Sequence, residues 1–145
     1  MDKLLVFICV ILAFVIMAFL ERTIEGPNGW GRKTYGKRFR ITKNFLITEY
    51  HLWFWLFLII LVLVLPLVVS GFSLESFGFL LSALAIGCLL EDFLYFVVNP
   101  YFGLKKFNSK NVKWHQWMKI GKLELPWSYI LGIIIAFLLY WFLWK

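Results

Sequence analysis

The sequence has few charged residues for its length. Lys, Arg, Asp and Glu together make up 16% of the 145 residues, whereas 62% are hydrophobic and 21% are aromatic. A composition so poor in charge and so rich in apolar side chains is far from that of soluble globular proteins. It indicates a single domain, residues 1–145, that buries its apolar surface in lipid and between its own helices.

Cysteines and sequential site motifs are also scarce. The two cysteines, Cys9 and Cys88, both lie in apolar runs, where we expect small buried hydrophobic residues, so no redox compartment follows from them. The chain contains no internal repeat, no low-complexity tract, and no metal motif such as HExxH or paired ExxH. A metal site, if present, therefore has no sequential signature.

Four apolar stretches are long enough, or nearly so, to cross about 30 Å of hydrocarbon at about 1.5 Å per residue. They cover residues 4–20, 52–69, 77–98 and 127–144. The first stretch is long and is followed by FLERTIEG instead of a small-residue cleavage site, so we expect a retained helix and not a signal peptide. The predicted fold is an all-α bundle of four transmembrane helices.

Lys and Arg are concentrated in two of the three connections between these stretches. The first connection, residues 21–51, and the third, residues 99–126, hold many of them, whereas the second, residues 70–76, holds none. The positive-inside rule then predicts a multi-pass protein of the inner or plasma membrane of a prokaryote, with cytoplasmic basic connections and both termini outside. Because this asymmetry explains the net charge of +7, we expect membrane lipids as partners and no nucleic acid.

Small residues four positions apart allow two helices to approach closely. Such pairs occur on the third and fourth predicted helices: Gly78 with Ser82, Ala83 with Gly87, and Gly132 with Ala136. They predict a close contact between these two helices. The second helix consists almost entirely of large side chains and should face lipid, and Pro66 should kink it near its outer end.

The segment LLEDFLYFVVNP, residues 89–100, places two adjacent carboxylates inside the third apolar stretch. An ionised Asp at the centre of a membrane helix costs about 2.5–3.5 kcal/mol on insertion scales. Glu91 and Asp92 should therefore have polar partners in the cytoplasmic half of the bilayer. Adjacent residues on a helix point about 100° apart, so the two acids can meet different neighbours.

Most other polar residues of interest fall near the same, cytoplasmic ends of the helices. They are Glu21, Arg22, Glu25, His51, Tyr95, Asn99 and His115. We therefore predict one polar cluster at the inner interface. In one explanation of this cluster, Arg22, a histidine or a lysine neutralises the acids and holds the bundle together.

Two further explanations assign chemistry to the cluster. Carboxylate oxygen and imidazole nitrogen suit a divalent metal such as Zn, Fe or Mn. The candidate metal ligands are Glu21, Glu25, His51, Glu91, Asp92 and His115. Alternatively the acids transfer protons or bind a polar ligand without metal; the candidate catalytic residues are then Glu91, Asp92 and His115, and the candidate ligand contacts are Tyr95, Asn99 and Arg22.

Three motifs occur in order between the apolar stretches: EGPNGW at 25–30, EDFLYFVVNPYFG at 91–103 and WHQW at 114–117. With them the chain resembles a family of small, uncharacterised prokaryotic four-helix integral membrane proteins. The resemblance covers nearly the whole chain. It implies that the motifs form one unit, but it assigns no activity, cofactor or site residue.

The preferred functional hypothesis is a membrane-embedded enzyme or binding protein for an amphipathic, lipid-like ligand. The headgroup would face the basic connections and the chain would lie between helices. The rival hypothesis is a non-enzymatic scaffold, either a homo-oligomer or an accessory subunit of another membrane protein, in which the acids only fix packing. A channel is disfavoured, because the outer halves of the helices carry almost no polar side chains.

Overall fold

The computed structural model describes residues 2–29, 36–43 and 45–144 of the chain. Trp30 of the EGPNGW motif and Arg32 and Lys33 of the basic first connection lie outside the described residues. The described part of the chain is mostly helical.

Four helices account for the predicted apolar stretches. They are α1 (Lys3–Glu25), α2 (Glu49–Ser70), α3 (Leu74–Val98) and α4 (Trp127–Leu143). The first three are long and apolar enough to cross a membrane, and α4 is a shorter apolar helix. Helices α1, α2 and α3 each begin or end a few residues beyond the predicted apolar stretch, because backbone hydrogen bonding continues into polar turns that hydropathy does not register.

The π-helical turn Ile60–Val64 interrupts α2 just before Pro66. Proline lacks an N–H group and its ring crowds the carbonyl four residues earlier, so a helix accommodates it by a local change in winding. The predicted kink site is therefore marked by a π turn. The Ser70 hydroxyl donates to the Pro66 carbonyl at 2.7 Å, which gives that carbonyl a partner near the end of the helix.

Helix α3 packs against α1, α2 and α4. Its contact with α4 uses the predicted small residues: the Ser82 hydroxyl donates to the Ala136 carbonyl at 3.1 Å, and Gly78 lies against Leu143. The other predicted pair on α3 faces α1 instead. Ala83 belongs to the core with residues of α1 and α2, and Gly87 lies against the Phe14 ring.

The prediction of an all-α fold was incomplete, because two antiparallel β-hairpins occur in the connections. Strand β1 (Arg38–Arg40) pairs with β2 (Leu46–Thr48), and β3 (Trp117–Ile120) pairs with β4 (Leu123–Pro126). Strand β2 runs directly into α2, and β4 runs directly into α4. Paired strands satisfy backbone N–H and C=O groups next to the apolar helices, where unpaired groups are costly.

Glu124 ties the second hairpin to the preceding loop. Its carboxylate accepts the Ser109 backbone N–H at 2.6 Å and the Ser109 hydroxyl at 3.1 Å, and it lies 3.2 Å from the ammonium of its cross-strand partner Lys119. The Ser109 N–H in particular lowers the pKa of the Glu124 carboxyl below its usual value.

Acidification should therefore weaken this hairpin through Glu124. A carboxyl whose pKa is lower in the folded state stabilises the fold above its unfolded pKa, and this stabilisation is lost as the pH falls through the folded pKa. We expect Glu124→Gln to melt at a lower temperature than the wild type at pH 7, with the difference shrinking towards pH 3. Thermal unfolding in detergent at several pH values measures this, and a difference independent of pH would contradict it.

Candidate functional site

The adjacent acids Glu91 and Asp92 face different neighbours. The Glu91 carboxyl lies close to the Glu21 carboxyl on α1. The Asp92 carboxylate lies instead beside His115 and Tyr129. Because adjacent residues point in different directions from α3, the two acids belong to different clusters. The sequence predicted one polar cluster, and the structure has two.

The first cluster, called here the Glu–Glu–His cluster, consists of Glu21, Glu25 and His51. The α1 glutamates lie one helical turn apart, so both project from one face of α1, and His51 opposes them from the first turn of α2. His51 Nε2 is 3.6 Å from Glu21 Oε1 and 3.7 Å from Glu25 Oε1. All three side chains are buried, with relative exposures of 5%, 3% and 2%.

Two neighbours on α2 hold this cluster in position. The Tyr50 hydroxyl donates to Glu25 Oε1 at 2.5 Å and lies 3.3 Å from Glu21 Oε1. Thr48, the N-cap of α2, forms a capping box with His51: its Oγ1 is 2.6 Å and its backbone N is 3.3 Å from His51 Nδ1. The N-terminal cap that starts α2 therefore also orients the imidazole, with Nε2 towards the carboxylates.

Two polar atoms from α3 complete the surroundings of the Glu–Glu–His cluster. Glu91 Oε1 is buried and has no hydrogen-bond partner among the described residues. The Tyr95 hydroxyl lies beside the Asn99 side chain and close to Glu25 and Glu21, yet it forms no hydrogen bond of normal geometry with a described residue. The surroundings of the three ionisable groups therefore include two buried polar atoms without a described hydrogen bond.

The second cluster, called here the Asp–His–Tyr cluster, consists of Asp92, His115 and Tyr129. The Tyr129 hydroxyl donates to Asp92 Oδ2 at 2.6 Å, and His115 Nε2 is 3.2 Å from the same oxygen. The imidazole is surrounded by aromatic rings with centroids 6.0 to 6.5 Å away, from Phe96, Phe107, Trp114, Trp117 and Tyr129. This cluster joins α3, the third connection and α4.

Asn99 joins the ends of α1 and α3. Its side-chain N–H donates to the Gly26 carbonyl at 3.3 Å, and its side-chain oxygen accepts the backbone N–H groups of Tyr101 and Phe102 at 2.9 and 3.3 Å. These bonds end α3 and fix the turn that follows. Asn99, proposed from the sequence as a ligand contact, thus has both polar side-chain atoms engaged with backbone.

The three sequence motifs meet at these clusters. Besides the bond from Asn99 to Gly26, buried Gly29 of EGPNGW lies beneath the rings of Phe102 and Trp114, which belong to the other two motifs. His115 of WHQW meets Asp92 of EDFLYFVVNPYFG. The described parts of the motifs are therefore in contact.

The predicted neutralisation by Arg22 or a lysine has no counterpart among the described residues. Arg22 forms no salt bridge there, and Glu21, Glu91 and Asp92 pair with no lysine or arginine of the described ranges. Within the described ranges, the bases beside Glu21 and Asp92 are the two histidines. Arg22, proposed as a ligand contact, makes one described contact here, through its carbonyl, which caps the end of α1.

An apolar groove of about 210 Å³ opens beside the Glu–Glu–His cluster. It is lined by side chains of α2 and of the segment that precedes it: Phe45, Ile47, Leu52, Trp55, Leu56 and Ile59. His51 lines it too and is the one ionisable residue among its lining residues. One imidazole thus connects the buried cluster to an apolar groove on the surface of α2.

Sequence reasoning missed Thr48, Tyr50 and Tyr129. Tyr50 lies near a predicted helix end, where interfacial aromatics collect, and Tyr129 lies in the first turn of α4 next to Trp127. The sequence held one signal for Thr48, its position three residues before His51. TEYH, residues 48–51, has the spacing of a capping box with histidine in the third helical position, so a cap and a candidate site residue coincide.

Comparison of the chain with protein-family models, with curated proteins and with solved structures finds no match. The family resemblance therefore remains a prediction, and the chemistry of the two clusters is inferred from their geometry.

Proposed function

We propose that the protein is a multi-pass protein of the prokaryotic inner or plasma membrane. All four helices would span it, with both termini outside and the basic connections in the cytoplasm. The distribution of Lys and Arg supports this orientation. So does the ion pair between Lys3 and Glu75, which joins the starts of α1 and α3 on one side. Helix α4 is 17 residues long, which gives about 26 Å at 1.5 Å per residue, close to the hydrocarbon thickness.

In this orientation both clusters lie at the inner interface, and the protein binds an amphipathic, lipid-like ligand there or acts on it. The observation that carries this proposal is the apolar groove with His51 in its wall. A hydrocarbon chain would occupy the groove, and the polar group attached to it would reach the Glu–Glu–His cluster. Exposed Arg38 and Arg40 on β1 would favour an anionic headgroup.

The position of the groove supports a lipid chain as its occupant. Leu52, Trp55, Leu56 and Ile59 form a stripe along α2 that is exposed, whereas Leu58 lies in the core. In a membrane such a stripe faces acyl chains. The groove is also smaller than the about 300–1,000 Å³ of typical small-molecule pockets, which suits one chain segment better than a whole lipid.

Filling the groove should exclude the chain. We expect Leu56→Trp to reduce crosslinking of Trp55 and Ile59 to a phosphatidylglycerol carrying a photoactivatable diazirine in its acyl chain. The reduction should be about tenfold or more, because each displaced methylene contributes about 0.8 kcal/mol and 1.4 kcal/mol corresponds to a factor of ten. Crosslinked peptides from protein in vesicles, quantified by mass spectrometry, measure this.

Phe57→Trp is the matched control, because Phe57 is exposed on α2 but does not line the groove. Its crosslinking should equal that of the wild type. Equal labelling in all three proteins would contradict a specific chain site in the groove.

The rival proposal is a non-enzymatic scaffold or accessory subunit whose acids fix helix packing. One observation favours it: each cluster joins different elements of the chain, α1 with α2 and α3 with α4. If the clusters serve packing alone, Asp92→Asn and Glu21→Gln should each reduce thermal stability and leave lipid crosslinking in the groove unchanged.

A further inference from the structure

The donor atoms of the Glu–Glu–His cluster are spaced like the ligands of a metal ion. One ligand atom from each residue, Glu21, Glu25 and His51, lies within 4.8 Å of the other two. The distances of 3.6 and 3.7 Å from His51 Nε2 to the carboxylate oxygens exceed the about 2.7–3.2 Å of a hydrogen bond. They are close to the separation of about 3.4 Å between ligands that each lie about 2.0–2.1 Å from a tetrahedral metal.

The carboxyls of Glu21 and Glu91 also require a partner for their charge. Two buried carboxylates, and the Glu91 carboxyl beside Glu21, repel one another unless a proton or a cation lies between them. No described lysine or arginine forms a salt bridge with Glu21 or Glu91. A divalent cation would balance two carboxylates at once, in surroundings where an unbalanced charge is costly.

A second, independent observation points to a ligand at this place. The Tyr95 hydroxyl is buried, with 5% relative exposure of the residue, and has no hydrogen bond of normal geometry, and buried Glu91 Oε1 has no partner among the described residues. Both atoms come from α3, and both lie beside the α1 glutamates. A bound cation with a coordinated water would satisfy a carboxylate oxygen and a phenol hydroxyl here.

We propose that Glu21, Glu25 and His51 bind one first-row divalent metal ion, with Glu91 and Tyr95 as partners of a water coordinated to it. Two carboxylates with one imidazole suit Mn²⁺, Fe²⁺ or Zn²⁺, and they are harder donors than the thiolate sets of structural zinc sites. This metal centre does not rest on the lipid proposal. The metal ligands face the interior of the helix bundle, and the groove is not needed to hold the ion.

Thr48 and Tyr50 act as positioning residues for this metal. A metal on Nε2 requires the proton of His51 to be on Nδ1, where Thr48 Oγ1 at 2.6 Å would accept it. The Thr48 backbone N–H, which donates to Nδ1 at 3.3 Å in the structure, would then give up that bond. The Tyr50 hydroxyl, which donates to Glu25 Oε1, holds that carboxylate in its orientation. Loss of such an outer partner typically lowers metal affinity about 10–100-fold.

The proposal is tested on full-length protein purified in detergent through an affinity tag that binds no metal. We expect about one Mn, Fe or Zn per chain by elemental analysis. Glu21→Gln and His51→Ala should each lose the metal, with affinities for added Mn²⁺ and Zn²⁺ falling by more than about 100-fold. Glu91→Gln should lower these affinities about 10–100-fold. Asp92→Asn is the matched control: it removes an acid next to Glu91 from the other cluster and should keep the wild-type content.

Two further measurements keep the proposal testable if a ligand variant does not fold. X-ray absorption of the wild-type protein should show an oxygen-rich first shell with one imidazole. Thr48→Ala should lower metal affinity about 10–100-fold, with Thr48→Ser restoring it. Because Ser also caps helices, thermal unfolding of the variants without metal is measured beside affinity: a threonine that only caps α2 would lower stability in Thr48→Ala and leave affinity unchanged. Metal-free wild-type protein that also fails to take up added Mn²⁺ or Zn²⁺, or equal metal content in Glu21→Gln, His51→Ala and the wild type, overturns the proposal.

The metal test and the groove test can fail separately. Leu56→Trp should keep its metal while losing lipid crosslinking, because it alters the groove and no metal ligand. Glu21→Gln should lose metal whether or not the groove binds a chain.

Discussion

Gly29→Ala should destabilise the fold by about 3–5 kcal/mol, the sum of backbone strain and steric overlap. Gly29 has φ +68° and ψ −179°, a region open to almost no residue but glycine. A Cβ there would also lie 2.6 Å from Phe102 and 3.0 Å from Trp114, in a buried contact where the three motifs meet. Thermal unfolding in detergent, followed by tryptophan fluorescence, measures the loss.

Gly71→Ala separates strain from overlap. Gly71 has a similar backbone conformation, φ +81° and ψ 150°, but a Cβ there meets no atom within 4 Å. This variant should therefore lose only the about 1–3 kcal/mol of strain. Equal losses in the two variants would mean that the packing of Phe102 and Trp114 on Gly29 contributes nothing.

Gly87→Leu should separate α1 from α3 and cost about 3 kcal/mol or more. Even a Cβ at Gly87 would overlap the Phe14 ring, and Phe14 is 1% exposed in the centre of the core, so the ring has no free volume to move into. The same helix pair carries Glu21 and Glu91 one to two turns further towards the polar clusters. We therefore expect loss of thermal stability together with loss of bound metal.

Cys88→Leu is the control for Gly87→Leu. It places the same side chain one residue further along α3, at an exposed position, and should change stability by less than about 0.5 kcal/mol. The double variant Phe14→Ala, Gly87→Leu should recover part of the loss, since the two sites share one contact. A Gly87→Leu protein that melts at the wild-type temperature would show that α1 and α3 do not pack as described.

The hairpins could have been inferred from the sequence only in part. Gly121-Lys122 separates two four-residue segments, WMKI and LELP, a spacing typical of a two-residue hairpin turn. Strand β1, RFR, has three residues and no such flanking pattern. Such short strands are stabilised by their partner and by the helix that follows, and neither is visible in a local window.

The division of the polar residues into two clusters depended on tertiary packing. The hydropathy pattern placed Glu91 and Asp92 in the C-terminal half of α3, and the helical repeat predicted that their side chains point in different directions. Neither property says which helix lies on which side of α3. The same uncertainty explains why Ala83 and Gly87 contact α1 although the sequence favoured α4: small residues predict a close neighbour without identifying it.

The sequence by itself determined the apolar helices and collected the acids and histidines at one end of them, because hydrophobicity and the placement of polar residues are properties of each segment alone. The structure decided which acid faces which histidine, and it brought Thr48, Tyr50 and Tyr129 to their partners. Those contacts depend on how each helix is rotated about its axis, which is set by the packing of glycine, alanine and phenylalanine side chains between neighbouring helices.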